Sequence, residues 1–116
     1  MIYFIYAFAL LLIAAGVYHF VNPAFYNPFM PEWFPKSLAN TAGGVAEIVI
    51  GICMLIPATQ KWAVFAAMAL MIVFLPLHVL DLLKDRPAIG NHTIAVVRLL
   101  IQFVFVYLLW RGARGL

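Results

Sequence analysis

Glu47, Arg98, Gln102, His19, His78, Asp81 and Asn40 stand inside stretches of the chain that are otherwise almost wholly apolar. Carboxylate, guanidinium, imidazole and carboxamide groups in such surroundings can hold the polar head of a ligand, move a proton or compensate one another. Asn40, Gly44, Glu47 and Gly51 recur at i, i+4, i+7 and i+11 and so share one face of a helix. Arg98 and Gln102 are i, i+4 neighbours, and His78 and Asp81 are i, i+3 neighbours. A carboxylate or a guanidinium facing lipid costs several kcal/mol. Both are therefore expected to turn inward, with Glu47 and Arg98 forming a charge-assisted pair and Gln102 and His78 joining the same network. The glycines flanking Glu47 are expected to let a neighbouring backbone approach closely.

The elements that must position these residues follow from composition. The 116 residues are 67% hydrophobic and only 9% charged, against about 45–50% and 25% in average soluble chains. A solvated disordered chain is excluded by such apolarity. Nucleic-acid binding is excluded as well, because the seven basic residues are scattered and form no stripe. Apolar runs predict four membrane-spanning helices at about 2–21, 38–56, 62–83 and 93–110, each close to the roughly 20 residues that cross a bilayer. The first lacks a basic leader and is longer than a signal-peptide core, so it reads as a retained helix. Pro57 makes a sharp stop, Lys61 and Lys84 bracket the third span, and Arg111 and Arg114 anchor the fourth beside Trp110. The fold class is all-α: one domain over 1–116, an integral membrane antiparallel four-helix bundle.

An even number of spans puts both termini on one side of the membrane, here termed the terminal side. It carries Lys61, Arg111 and Arg114; the opposite, loop side carries Lys36, Lys84 and Arg86. The positive-inside rule is tied. Glu32 and Asp85 dilute the loop side, which tips the expectation to cytoplasmic termini. With each helix given a direction, every weighty intramembrane polar group falls in the loop-side half: Glu47 lies about 13 Å deep and Arg98 about 7 Å. Pro76 precedes His78 and is expected to kink the third helix at that layer. The loop 22–37 holds Pro23, Pro28, Pro31 and Pro35 among Phe25, Tyr26, Phe29, Trp33 and Phe34, a composition expected to lie over the polar layer as a lid.

Competing chemistries are thinner. Cys53 is the only cysteine, so no thiol pair exists in this chain. His19 and His78 fall at similar depth, as a bis-histidine haem would want, but di-iron bundles use Glu-x-x-His pairs and the sequence has none. No metal is expected, and His92 reads as a loop residue. Met54, Met68 and Met71 read as filler. For Glu47 and Arg98 two readings stay open: a ligand site, or a buried pair that only sets helix register.

Taken in order, Gly16-x-x-His19-Phe20, Met30-Pro31, Gly44-x-x-Glu47-x-x-x-Gly51, Pro57 with Lys61, and Arg98-x-x-x-Gln102 resemble the DoxX-like family of small four-span membrane proteins over nearly the whole chain. The resemblance implies a multi-pass protein of the bacterial cytoplasmic membrane. It also implies association with quinone-coupled thiosulfate oxidation, redox-enzyme maturation or oxidative-stress complexes, although most members have no assigned activity. The bundle is also similar to that of sterol isomerases and their ligand-binding relatives. The expected function is an accessory or ligand-binding subunit of a membrane redox or stress-response system, not an enzyme on its own. Glu47, Arg98 and Gln102 are expected at the polar head of an apolar ligand, a quinone being the candidate, with His19, His78, Asp81 and Asn40 around it. Expected partners are the lipid bilayer, a membrane or soluble redox protein, and a second copy of the chain. The alternative is a non-catalytic assembly or chaperone subunit whose buried network is structural.

Overall fold

No charged side chain precedes Glu32, and the run from Ile2 is rich in Ala, Leu, Ile and aromatic residues. A chain of that kind buries its backbone polar groups most completely as a helix. The computed structural model describes residues 1–30, 33–83 and 90–116. Its helices are α1 (Ile2–Val21), α2 (Pro23–Tyr26), α3 (Lys36–Leu55), α4 (Gln60–Leu82) and α5 (His92–Arg114), with a 3₁₀ turn at Asn27–Phe29. Four of them, α1, α3, α4 and α5, are long and apolar enough to cross a membrane. Large apolar side chains are exposed along all four. Glu32, Pro31, Lys84, Asp85 and Arg86, which enter the charge count and the Met30-Pro31 motif, lie outside the described residues.

Local chemistry sets the ends. Pro23 takes the first position of α2, where its missing N–H costs nothing. The Thr59 hydroxyl donates to the Cys53 carbonyl at 2.8 Å and Gln60 Nε2 to the Met54 carbonyl at 2.9 Å, closing the α3–α4 turn on carbonyls of the last turn of α3. Asn91 caps α5 by accepting from the Ile94 N–H at 2.8 Å. The predicted end of the fourth span at Trp110 falls short, because Arg111 to Arg114 continue the helix. Charge marks where an apolar stretch stops, whereas arginine and alanine are good helix formers and do not end one. α4 remains a single element through Pro76.

Packing divides the molecule into two antiparallel pairs, α1 with α3 and α4 with α5, joined mainly through α3 and α4. In the first pair the helices nearly touch. A Cβ added at Gly16 would stand 2.7 Å from the Gly44 carbonyl oxygen, and one at Gly51 would stand 2.8 Å from that of Ala9. Glycine is required at both crossings, as the spacing around Glu47 anticipated. A shared core of Ile5, Phe8, Leu12, Met54, Val64, Met71 and Leu109 ties the pairs together, and Phe105 of α5 reaches α1 through an edge-to-face contact with Phe8 at 5.2 Å.

Candidate functional site

His19 sits one turn after Gly16, on the face of α1 turned towards α3. A Cβ at Gly43 would lie 3.7 Å from its Nε2, so the imidazole rests close against the α3 backbone. Asn40 orients it. The Asn40 amide donates to Asn27 Oδ1 at 3.0 Å and to the Pro23 carbonyl at 3.5 Å, which leaves its oxygen to face His19 Nδ1 at 2.9 Å. Nδ1 must therefore carry a proton and donate. The other nitrogen, Nε2, then faces Glu47 Oε1 at 3.5 Å. Between them one proton is shared: a neutral imidazole faces a carboxylic acid, or an imidazolium faces a carboxylate. Glu47 is buried at 4% exposure, and its second oxygen, Oε2, makes no hydrogen bond among the described residues.

The loop closes over this couple. Tyr26 stacks on the His19 ring with centroids 3.6 Å apart and an interplanar angle of 15°. Its hydroxyl donates to the Ala15 carbonyl at 3.1 Å, fixing the ring from the other end. Burial first, and the Glu47 charge second, push the Tyr26 phenol above its ordinary value of 10.0. The lid expected from the aromatic, proline-rich composition is thus a specific pair of contacts, Tyr26 on His19 and Asn27 on Asn40. An open groove of about 350 Å³ reaches the couple from the side, lined by His19, Phe20, Pro23, Lys36, Asn40 and Thr41 among others. Glu47 does not line it and meets it only through His19.

The remaining candidates gather elsewhere. Asp81, wholly buried, accepts from Arg98 Nη2 at 3.0 Å across α4 and α5. Gln102 donates to the Met71 carbonyl at 3.0 Å and to its sulfur at 3.2 Å, so Met71 is more than filler. His78 lies beside Gln102, Arg98 and Asp81. The expected Glu47–Arg98 pair does not form: Glu47 faces His19 and Arg98 faces Asp81. Each acid is compensated from the helix packed directly against its own, and α3 packs on α1 whereas α5 packs on α4. Depth in the sequence placed Glu47 and Arg98 on neighbouring levels but could not place them on facing sides. His19 and His78 likewise belong to separate clusters, and no group of three His, Cys, Asp or Glu is placed to hold a metal among the described residues.

Tyr26 and Asn27 are the site residues that sequence reasoning missed. The available signal was the Asn27-Pro28 turn dipeptide, which calls for a fixed backbone but names no contact. Chemically the arrangement is a buried acid coupled through an oriented imidazole to an open groove. Its tautomer is held by a chain of amides, and because Nδ1 meets Asn40 and Nε2 meets Glu47, exchange of its proton with a bound hydroxyl requires one of these contacts to open.

No curated protein and no solved structure matches the chain. The model of one family, described as a domain of unknown function (DUF8561), matches residues 8–113 and so takes in both polar clusters. The chain belongs to that family.

Proposed function

We propose that the protein is an integral membrane antiparallel four-helix bundle of the bacterial cytoplasmic membrane, akin to DoxX-like proteins, with both termini in the cytoplasm. In this reading it is an accessory, ligand-binding subunit of a membrane redox or stress-response system. The groove beside His19 holds the polar head of an apolar small molecule, a quinone or its reduced form. The His19–Glu47 couple exchanges one proton with that head, and a partner protein supplies the electron carrier. The carrying observation is Glu47 Oε2, buried without a hydrogen bond directly behind an oriented histidine. A purely structural carboxylate would be saturated, because an unmade buried hydrogen bond costs about 1–3 kcal/mol. A proton acceptor must instead keep capacity in hand. A ligand hydroxyl reaches the couple by displacing the His19 Nε2 contact with Glu47, while Lys36 and Thr41 stand on the groove wall where a carbonyl could accept.

Purification from native membranes followed by solvent extraction tests this reading. Quinone should be recovered with the wild type and lost with Glu47→Gln and His19→Gln. Recovery of none, with both variants functioning as before, would overturn it. A second reading, a non-catalytic assembly or chaperone subunit, has its own support in the Asp81–Arg98 pair, which joins α4 to α5 as a register lock would. It expects Glu47→Gln to lower stability and added quinone to leave the melting temperature unchanged.

A further inference from the structure

The end of α5 carries a second built feature, about as far from the His19 groove as the helices allow. Tyr107, Trp110, Arg111 and Arg114 follow one another at i, i+3, i+4 and i+7 and share a face. The Arg111 guanidinium lies 5.9 Å from the Tyr107 ring centroid and its Nη1 donates to the Tyr107 hydroxyl at 3.1 Å. The Arg114 guanidinium lies 4.7 Å over the Trp110 ring. The hydrogen bond to Tyr107 and the Trp110 ring position the two guanidinium groups, each of which has more N–H donors than these contacts use and so can bind phosphate oxygens. Together with Gly115 these residues line an open groove of about 520 Å³. The same face continues inward as an exposed apolar row, Leu100, Phe103, Val104 and Tyr107, each more than half exposed. From Leu100 to Trp110 the helix rises about 15 Å, half the roughly 30 Å bilayer core and so the depth of one leaflet.

We infer that this end of α5 binds an anionic phospholipid, its phosphate on Arg111 and Arg114 and an acyl chain along the apolar row. The two halves of the surface match the two halves of such a molecule. A soluble phosphate would use the cationic end alone, and a zwitterionic lipid would bring an ammonium group against the arginines. The inference rests on the reading that the chain spans a membrane, and the experiment separates the two. Membranes are first washed with alkaline carbonate: release of the protein would fail the membrane reading itself. Protein retained through that wash is purified and reconstituted in nanodiscs of phosphatidylcholine with a minor fraction of phosphatidylglycerol, and co-retained lipid is read by native mass spectrometry. Phosphatidylglycerol should be enriched about tenfold over its share. Half-molar salt should reduce the enrichment. The double variant Arg111→Gln, Arg114→Gln should abolish it, and Lys61→Gln, at the same end but outside the groove, should keep it. Equal retention of both lipids, or an undiminished preference in the double variant, would overturn the inference. So would competition by millimolar glycerol phosphate as effective as by the intact lipid, since the site would then be one for a soluble phosphate.

Discussion

Asp81 and Glu47 are both carboxylates buried against an adjacent antiparallel helix, yet their surroundings differ. Asp81 meets a guanidinium, that of Arg98, at 3.0 Å. Glu47 meets an imidazole at 3.5 Å and leaves one oxygen with no hydrogen bond among the described residues. The helices differ in the same sense. At the Glu47 pair, glycines bring the backbones together at Gly16 and Gly51, and a short loop helix and a 3₁₀ turn lie over the top. A fixed counter-charge suits a lock between α4 and α5. A titratable one, reached from an open groove, suits exchange with something that enters.

The largest effect should come from breaking the lock. Arg98→Leu removes the guanidinium that a fully buried carboxylate accepts from, and unfolding in detergent should show a loss of about 3–5 kcal/mol. Adding Asp81→Asn to Arg98→Leu should recover much of it, since no buried charge then remains. Next is the glycine crossing of the other pair. Gly16→Ala drives a methyl to 2.7 Å from the Gly44 carbonyl, backbone against backbone, and should cost about 1–3 kcal/mol. Gly112→Ala is its control: the nearest atom, 3.3 Å away, is the flexible end of Ile5, and the change should be close to neutral.

Glu47→Gln should cost less than Arg98→Leu, about 1 kcal/mol or below, because it removes a charge without stranding another. Thermal melts with and without added quinone should show the proposed ligand stabilising the wild type and not this variant. A loss as large as that of Arg98→Leu would make the two acids equivalent and erase the contrast. Asn40→Leu should cost about 1–2 kcal/mol by depriving His19 Nδ1–H of its acceptor. Its sharper readout is nitrogen-15 NMR of the imidazole, where the wild type should hold the Nδ1–H form and the variant should lose that preference.

The smallest effect concerns Tyr26. Its folded-state value is raised, so the neutral phenol is the form the fold favours. The stability this contributes is fully present below the unfolded value of 10.0 and is lost as pH climbs through the raised folded value. The gap in melting temperature between wild type and Tyr26→Phe should therefore be constant from pH 8 to 9 and narrow above pH 10.

Much of this was legible residue by residue. The i, i+4, i+7, i+11 series put Asn40, Gly44, Glu47 and Gly51 on one face, and the structure buries all four. His19 was placed in the same loop-side half as Glu47, and Arg98 and Gln102 on one side of their own helix. The proline-rich loop was recognised as a cover. The partner of Glu47 was not legible, because nothing in a helical repeat states which neighbour its face meets. Tyr26 and Asn27 were hidden for a related reason: a four-residue helix and a 3₁₀ turn carry too few residues for any periodicity to declare a side.

The sequence by itself determined four long apolar helices, the level of each polar group along its helix and the glycines that permit close contact. Hydropathy runs and spacing report rise along an axis, at about 1.5 Å per residue, and rotation about that same axis. Only the tertiary structure decided that α1 lies against α3 and α4 against α5, and with that which acid meets histidine and which meets arginine. Pairing between helices is a property of facing surfaces and loop paths. Two groups at equal depth can therefore be adjacent, or stand on opposite sides of the molecule, with the same spacing in the chain.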